Sequence, residues 1–305
     1  MNEFLRFLAV ADIGNVSRAA ETLNLSQPAL SRSIFLLERR FRTTLFVRRN
    51  GKMELTGAGR ILYDHASRAL NLLHSAEERI DYEGVGGSLS LSICAGDSWG
   101  NAILPAIVAA FTRAHPEIDV RLDIVGSDER MAGLSAGNYE LSYGILLPRH
   151  EATGKLRFKP MMEAPYIVYA SQKHPLRALG RSPTAEELLS CGWLKHKFEY
   201  DHDPARWQSI GRRYALSTNT TLSSLELIRQ TELLMSTSEI NAALFARHGV
   251  TMLCPDPETY RHISGLHTLA EVELGQAAKL FKNWCEKQFI ETVSDHFTGP
   301  LQKHY

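Results

Sequence analysis

Residues 15–41, NVSRAAETLNLSQPALSRSIFLLERRF, leave this chain little freedom, because they read as two short helices joined by a tight turn. Asn15 is a suitable cap for the first helix, and Ala19, Ala20 and Leu23 give that helix small or apolar positions against which another can pack closely. Asn24 to Ser26 breaks it. Ser26 is a good N-cap for the second helix, and Pro28 falls in that helix's first turn, where a missing N–H costs nothing because those donors lack intrahelical partners. Leu30, Ile34, Leu37 and Phe41 then recur at helical spacing and form a stripe for a core. Gln27, Ser31 and Arg32 lie off that stripe. Near the N-terminal end of a helix in a DNA major groove, glutamine suits adenine, arginine suits guanine or phosphate, and serine suits either. An ordinary helical hairpin in a protein-binding domain has the same outline, so the charge that follows carries weight.

Between Arg39 and Lys52 stand Arg39, Arg40, Arg42, Arg48, Arg49 and Lys52, with no acidic residue among them. A duplex rewards such a cluster by counterion release. Residues 1–60 hold ten Lys or Arg against five Asp or Glu, a net of +5, which leaves −5 for the remainder of a chain with 34 of each kind. The overall neutrality hides this asymmetry. Thr44 to Val47, then RRNGK from Arg48 to Lys52, then Met53 to Thr56 reads as two short strands around an Asn-Gly turn, a basic wing beside the helices.

From Gly57 to about Tyr82 there is no Pro and, after Gly59, no Gly, so one long helix is expected. Leu62, Ala66, Ala69, Leu73, Ala76 and Ile80 step alternately by four and three, the seam of a coiled coil. Such a seam is either shared with a second chain or buried against its own. Glu83 to Ser88, EGVGGS, then reads as a hinge. Beyond it, strands are expected at Leu89–Ala95, Asp119–Val125, Tyr139–Leu146, Pro165–Ala170 and Gly192–Lys195. Helices are expected at Asn101–Arg113, Leu134–Gly137, Thr184–Leu189, Ser223–Thr231 and about Ala277–Ile290. Strand, helix, strand at this spacing argues a parallel α/β sheet. After Pro255 no returning strand is evident before the last helix.

The motifs AAETLNLSQPALSRSIFLLE and LFVRRNGKMELTGAGR resemble the N-terminal domain of LysR-type transcriptional regulators, without a gap over about the first 65 residues. Phe35 and Leu36 depart from that pattern, which more often has polar or basic residues there. Their simplest use is to extend the core; contact with thymine methyls or packing on the wing are the others. The second half is similar to the family's effector domain through Leu104-Pro105 with Phe111, His115-Pro116-Glu117, and His174-Pro175-Leu176.

The resemblance implies an all-α winged helix-turn-helix domain at 1–57, a linker and dimerisation helix at 58–87, and a two-lobed α/β, periplasmic-binding-protein-like effector domain at 88–305. Lobe I would hold about 88–160 and 266–305, and lobe II about 161–265. Ser26, Gln27, Pro28, Ser31, Arg32, Arg48, Arg49 and Thr56 would contact DNA. The implied partners are double-stranded operator DNA, a small-molecule effector between the lobes, and further copies of the chain, as a dimer and as a tetramer of two dimers, with RNA polymerase as a further contact. A DNA binder without a small-molecule effector, constitutive or redox-responsive through Cys191 and Cys254, is the alternative.

Ligands of open α/β sheets bind at strand carboxyl ends and helix N-termini, where free N–H groups favour an anion. The loop Gly96–Asn101, GDSWGN, follows the first strand in that position. Ser98 could cap the next helix and donate to a carboxylate, Trp99 could cover an apolar portion, and Gly100 completes the turn. Asp97 would disfavour an anion directly beside it, which keeps a neutral or cationic effector open. Family alignment adds Gly126-Ser127, the loop after Lys197 with Phe198 and His202, and the polar run Ser217–Thr221 with Thr218 and Thr220. For each, a helix cap or a solvated loop is the plainer use.

The four cysteines lie far apart with no CxxC pair, and the twelve histidines form no HExxH set, so no metal site and no cofactor are expected. Neither a G-x-S-x-G nucleophile pattern nor a phosphate loop GxxxxGK[ST] is read, so no enzyme chemistry is expected. Met1 to Val10 carries Glu3 and Arg6 and lacks a cleavage-like site, and no apolar run approaches ~18 residues. A cytoplasmic protein without a membrane span is the expectation.

Overall fold

The structure is a computed structural model that describes residues 2–49, 51–85, 89–146, 154, 156–196, 211–257 and 261–294, of which 71, 72, 74–85 and 290–294 are described by backbone alone. It divides into two compact units, Met1–Gly84 with Ser135–Asn138, and Val85–Leu134 with Tyr139–Tyr305.

The first unit opens with helices α1 (Asn2–Ile13), α2 (Val16–Thr22) and α3 (Gln27–Phe41). Both caps form as their residue types require: Asn15 accepts from the Arg18 N–H at 3.1 Å, and Ser26 from the Ala29 N–H at 3.4 Å. Phe7, Val10, Ala19, Ala20, Leu30, Ile34 and Leu37 bury one core, which Leu45 and Phe46 complete from the hairpin β1 (Phe46–Arg49) and β2 (Lys52–Leu55). The hairpin pairs Phe46 with Leu55 and Arg49 with Lys52, and Gly51 at its tip takes a positive φ of 77°. Asn50 lies outside the described residues.

Three expectations for α3 need correction. Phe41 is 43% exposed, because the chain leaves the helix at Arg42, which is left-handed at φ 54°, and Leu45 and Phe46 fill the core in its place. Phe35 and Leu36 do not extend the core; they are 57% and 48% exposed.

Helix α4 runs from Gly57 to Val85 as one element. Thr56 caps it, accepting from the Gly59 N–H at 2.9 Å while donating to the Thr44 carbonyl at 2.8 Å. Leu62 packs on the helix-turn-helix core and Ala66 is buried, so the start of the seam is used within the chain. Ala69 is exposed and Leu73 is 44% exposed. The side chains of Ala76 and Ile80, and residues 86–88 of the hinge, lie outside what is described.

The second unit holds two lobes. Lobe I is a five-stranded sheet in the order β4-β3-β5-β12-β6, from β3 (Leu89–Ala95), β4 (Ile118–Ile124), β5 (Leu141–Ile145), β6 (Leu156–Ala164) and β12 (His262–Leu269). β3 is parallel to β4 and β5, as alternating strands and helices dictate, while β12 is antiparallel to both β5 and β6. Helices α5 (Leu104–Ala114), α6 (Ser127–Ala136) and α10 (Gln276–Ser294) accompany it, with Phe111 of α5 edge-on to Phe281 of α10 at 5.0 Å.

In lobe II, β7 (Tyr166–Ser171) lies between β10 (Met235–Ser238) and β11 (Val250–Pro255), while β8 (Gly192–His196) pairs in parallel with β9 (Arg213–Thr218). A bridge between Trp193 and Leu234 joins the two sheets. Helices α7 (Ala185–Ser190), α8 (Thr221–Gln230) and α9 (Ala242–Arg247) flank them. The chain crosses from lobe I at Pro165, between β6 and β7, and returns after β11 through β12, the strand that was not evident in the sequence.

Beside that return, Arg212 is clamped by both oxygens of Asp256 at 2.6 and 2.7 Å and lies 3.9 Å over the Trp193 ring; the two charged side chains are 1% and 0% exposed. A buried pair of this kind contributes little net stability, but losing one partner strands a charge, at a cost of about 3–5 kcal/mol. Asp256→Ala is therefore expected to lower the urea-unfolding free energy by about that amount. The double change Arg212→Met with Asp256→Leu should recover more than half of the loss; equal losses in the two variants would contradict this account of the pair.

Candidate functional site

The first candidate site is the outer face of α3 with its wing. Glu38, on the last turn of α3, accepts from the N–H groups of Leu45 at 2.7 Å and Phe46 at 3.2 Å. That carboxylate fixes the start of the wing to the helix. With Leu30, Ser33, Ile34 and Leu37 buried, Ser26, Gln27, Pro28, Ser31 and Arg32 are all exposed, as are Arg48 and Arg49 on β1. Arg49 stands 4.0 Å from Glu54 across the hairpin. Exposed donors on the N-terminal turns of a helix, beside a basic hairpin, are what base edges and phosphates require. Ser26 and Thr56 stand apart from the rest, since the hydroxyl of each already caps a helix.

The second candidate site is a cavity in the second unit, where lobe I meets lobe II. Gly96 to Trp99 of the loop Gly96–Asn101, singled out in the sequence, form one wall, with Gly126, Ser127, Arg130, Gly144, His262 and Ser264 also from lobe I and Tyr166, Ser238 and Ile240 of lobe II opposite. The roles within the loop differ from expectation. Ser98 makes no side-chain cap; its hydroxyl accepts from the Asn241 amide at 3.0 Å, across the lobes. Trp99 is buried, stacked on Phe289 at 5.3 Å and donating to the Ser264 hydroxyl at 3.1 Å, so only its edge is left to a ligand. Gly100 packs against Ile124, where a Cβ would collide with that side chain. The helix here begins as a single π turn, Trp99–Ile103.

Asp97 lines the cavity too, with one carboxylate oxygen committed to neighbours. Its Oδ1 accepts from the Thr221 hydroxyl at 2.6 Å and the Asn101 amide at 2.9 Å, with His196 Nε2 3.7 Å away, in a buried polar cluster that spans the lobes. Burial pushes the His196 imidazole below its ordinary value against the pull of Asp97. Thr220 caps α8 through the Ser223 N–H, and Thr218 accepts from the Thr220 N–H; neither lines the cavity. Phe198 and His202 lie outside the described residues.

Arg130 is the residue the sequence did not reveal. It stands one turn before the buried Leu134 on α6, an arginine in the apolar phase of a helix, and is 2% exposed. Its Nη1 donates to the Ser142 hydroxyl at 3.2 Å and the Tyr143 carbonyl at 3.3 Å, while Nε has no partner. Burial pushes its pKa down to about 10, and no carboxylate offsets that cost. Gly144 makes room for the guanidinium, since a Cβ there would overlap it. Around it, Ser98 and Ser264 both accept hydrogen bonds, which leaves their own protons to donate, and α6 begins at Ser127 on the same wall. His262, beside them, is pushed down to about 3 by burial and is neutral. On this side the wall gathers donors around one buried cation, with the Asp97 carboxylate also in the lining.

Contrary to the sequence expectation, one nucleophile pattern is present: GDSWG, residues 96–100, has the G-x-S-x-G spacing. It makes no nucleophile. Ser98 sits in relaxed right-handed backbone, φ −64° and ψ −42°, and faces an amide rather than a base. Burial pushes the Cys254 thiol up to about 11 and the Cys191 thiol upward as well, toward the protonated form. Among the described residues, no helix is long and apolar enough to cross a membrane.

Two family models match the chain. Residues 1–60 match the bacterial regulatory helix-turn-helix protein, lysR family, and residues 85–290 match the LysR substrate binding domain. The SDS degradation transcriptional activation protein of a Pseudomonas species is 33% identical over 184 residues, 59% of this chain and 58% of that protein. The RuBisCO operon transcriptional regulator of Allochromatium vinosum is 34% identical over 189 residues, 60% of each. The chain thus spans about three fifths of the length of the curated relatives it matches. Among solved structures, full-length CbnR complexed with its target DNA superposes with a TM-score of 0.63 at 20% identity, covering 94% of this chain and 98% of that one. ArgP from Mycobacterium tuberculosis gives 0.65 at 16% identity, covering 98% and 99%. At these identities the likeness is one of fold.

Proposed function

The chain belongs to the LysR family, whose named relatives regulate transcription rather than catalyse reactions, and from that premise we propose that it is a dimeric operator-binding regulator whose DNA affinity is set by a small anionic effector. The single observation that carries the DNA reading is the exposed run Gln27, Ser31 and Arg32 on a helix that Glu38 holds to a basic wing. Two copies would pair through the free part of α4, where Ala69 and Leu73 remain uncovered. Their recognition helices would then address two half-sites of a roughly palindromic operator.

Arg130 supports the effector reading and its charge. An anion in the cavity would pair with the buried guanidinium, take the free Nε proton and the hydroxyls of Ser98 and Ser264, and lie at the N-terminus of α6. Thr221 and Asn101 stabilise the Asp97 carboxylate without removing its charge, so the anion would sit on the Arg130 side of the cavity, away from Asp97. Asp97 to Thr221 and Ser98 to Asn241 cross between the lobes, so a ligand that favours one lobe arrangement shifts the equilibrium by its differential affinity and no more.

Arg32→Ala is expected to weaken binding to an operator enriched from random duplexes by about tenfold at fixed salt, as one arginine–base or arginine–phosphate contact should; unchanged affinity would remove Arg32 from the interface. For the effector, the full chain is melted in low-millimolar sulfate, phosphate, acetate or succinate at constant ionic strength, against chloride. At least one anion should raise the midpoint by about 5 °C at a hundredfold excess over its Kd, and Arg130→Met should abolish that rise. No rise with any of them, or an equal rise in Arg130→Met, would overturn the anionic reading.

A further inference from the structure

The outer face of α3 carries two residues that the readout of phosphates and polar base edges leaves unused. Phe35 and Leu36 are 57% and 48% exposed, side by side in the middle of a helix whose neighbouring outward residues Ser31, Arg32, Arg39 and Arg40 are polar or basic. Single exposed apolar residues are ordinary on any surface. These two are placed. Pro28, Ser31, Arg32 and Phe35 stand at offsets of zero, three, four and seven, which is the spacing by which a helix lying in the major groove presents side chains to successive bases. Leu36 follows Arg32 and precedes Arg40 at four-residue steps, on the flank of the same face.

At about 1.5 Å per residue, Phe35 lies about 10 Å beyond Pro28 along the axis, the length of about three base pairs. Arg32, Arg39 and Arg40, all exposed, stand around the pair, and the basic wing lies beside the helix. That charge commits the face to a polyanion rather than to an apolar protein groove. The major groove offers one apolar group at the base edges, the thymine C5 methyl.

We propose that Phe35 and Leu36 read thymine methyl groups, so that each operator half-site carries a thymine at a fixed step beyond the bases addressed by Gln27, Ser31 and Arg32. This rests on the DNA-binding reading above and adds the chemistry of one position to it. A phenyl ring and an isobutyl group can displace groove water from a methyl but can satisfy none of the donors and acceptors of a G·C pair. The contact therefore selects A·T pairs by both attraction and penalty.

The test uses the full chain and a duplex enriched by it from a random pool. Each thymine is replaced in turn by deoxyuridine, which removes the methyl and keeps the pairing edge. At one or two positions in each half-site, deoxyuridine should weaken wild-type binding about fourfold per methyl, the value of one buried carbon. Phe35→Ala or Leu36→Ala, changes on the exposed face that leave the core of α3 intact, should bind the thymine and deoxyuridine duplexes equally at that position. Unchanged wild-type affinity at every substituted thymine would overturn the proposal, as would a deoxyuridine penalty that persists in both alanine variants. Failure to enrich any duplex would instead overturn the DNA-binding reading beneath it.

Discussion

The carboxylate of Glu38 is the joint on which the reading head depends. By accepting from the N–H groups of Leu45 and Phe46, it ties the last turns of α3 to the entry of the wing. Hydrogen bonds of this charge-assisted kind are worth about 1.5–3 kcal/mol each. The core contact of Phe7 with Phe46, ring centres 5.2 Å apart, follows from the same placement. Apart from the capping residues Ser26 and Thr56, every residue proposed to meet DNA stands on one of the two elements so joined, and the face of α3 proposed to meet the duplex is the one the core does not claim. A helix free to swing relative to its wing would lose register between base contacts and phosphate contacts, and with it the ability to discriminate sequence.

The cavity in the second unit obeys a different constraint. β6 and β12 run antiparallel side by side in lobe I, where the chain leaves for lobe II and where it returns, so the lobes share a pair of connections, the arrangement that hinged domains use. Across the junction the contacts are polar: Asp97 with Thr221, Ser98 with Asn241. Such contacts can be exchanged for bonds to a ligand or to water at small net cost, whereas a packed apolar seam could not. Arg130 adds an unbalanced charge to the wall. A buried cation without a carboxylate is tolerated because its remaining partners are a hydroxyl and a carbonyl, and its deficit is what an anion would relieve.

Where information was local, the sequence was legible. Caps at Asn15 and Ser26, the stripe of Leu30, Ile34 and Leu37, and the wing all depend on neighbours within a few positions, and they fold as the pattern implies. Phe41 continued the stripe by spacing, yet the left-handed turn at Arg42 ends the helix and hands the core to Leu45 and Phe46. β12 escaped notice because its Gly265 and polar residues break the alternation, because it shifts register against Pro160 of β6, and because its partner lies about a hundred residues away. The loop at Gly96–Asn101 was recognisable as a cavity wall by its place after the first strand. The roles inside it were not, since Asn241, Thr221 and Ser264 reach it from distant segments. Arg130 left one faint signal, a charge in the buried phase of α6.

The central claim is that two copies of α3 read the major groove in concert. Chemical footprinting of the enriched duplex tests it most directly, with hydroxyl radicals to map the backbone and guanine N7 methylation to map the groove. The account predicts two patches of backbone protection separated by whole helical turns on one face of the duplex, with the guanine N7 atoms inside each patch shielded. A single patch, or backbone protection with guanine N7 fully reactive, would contradict it.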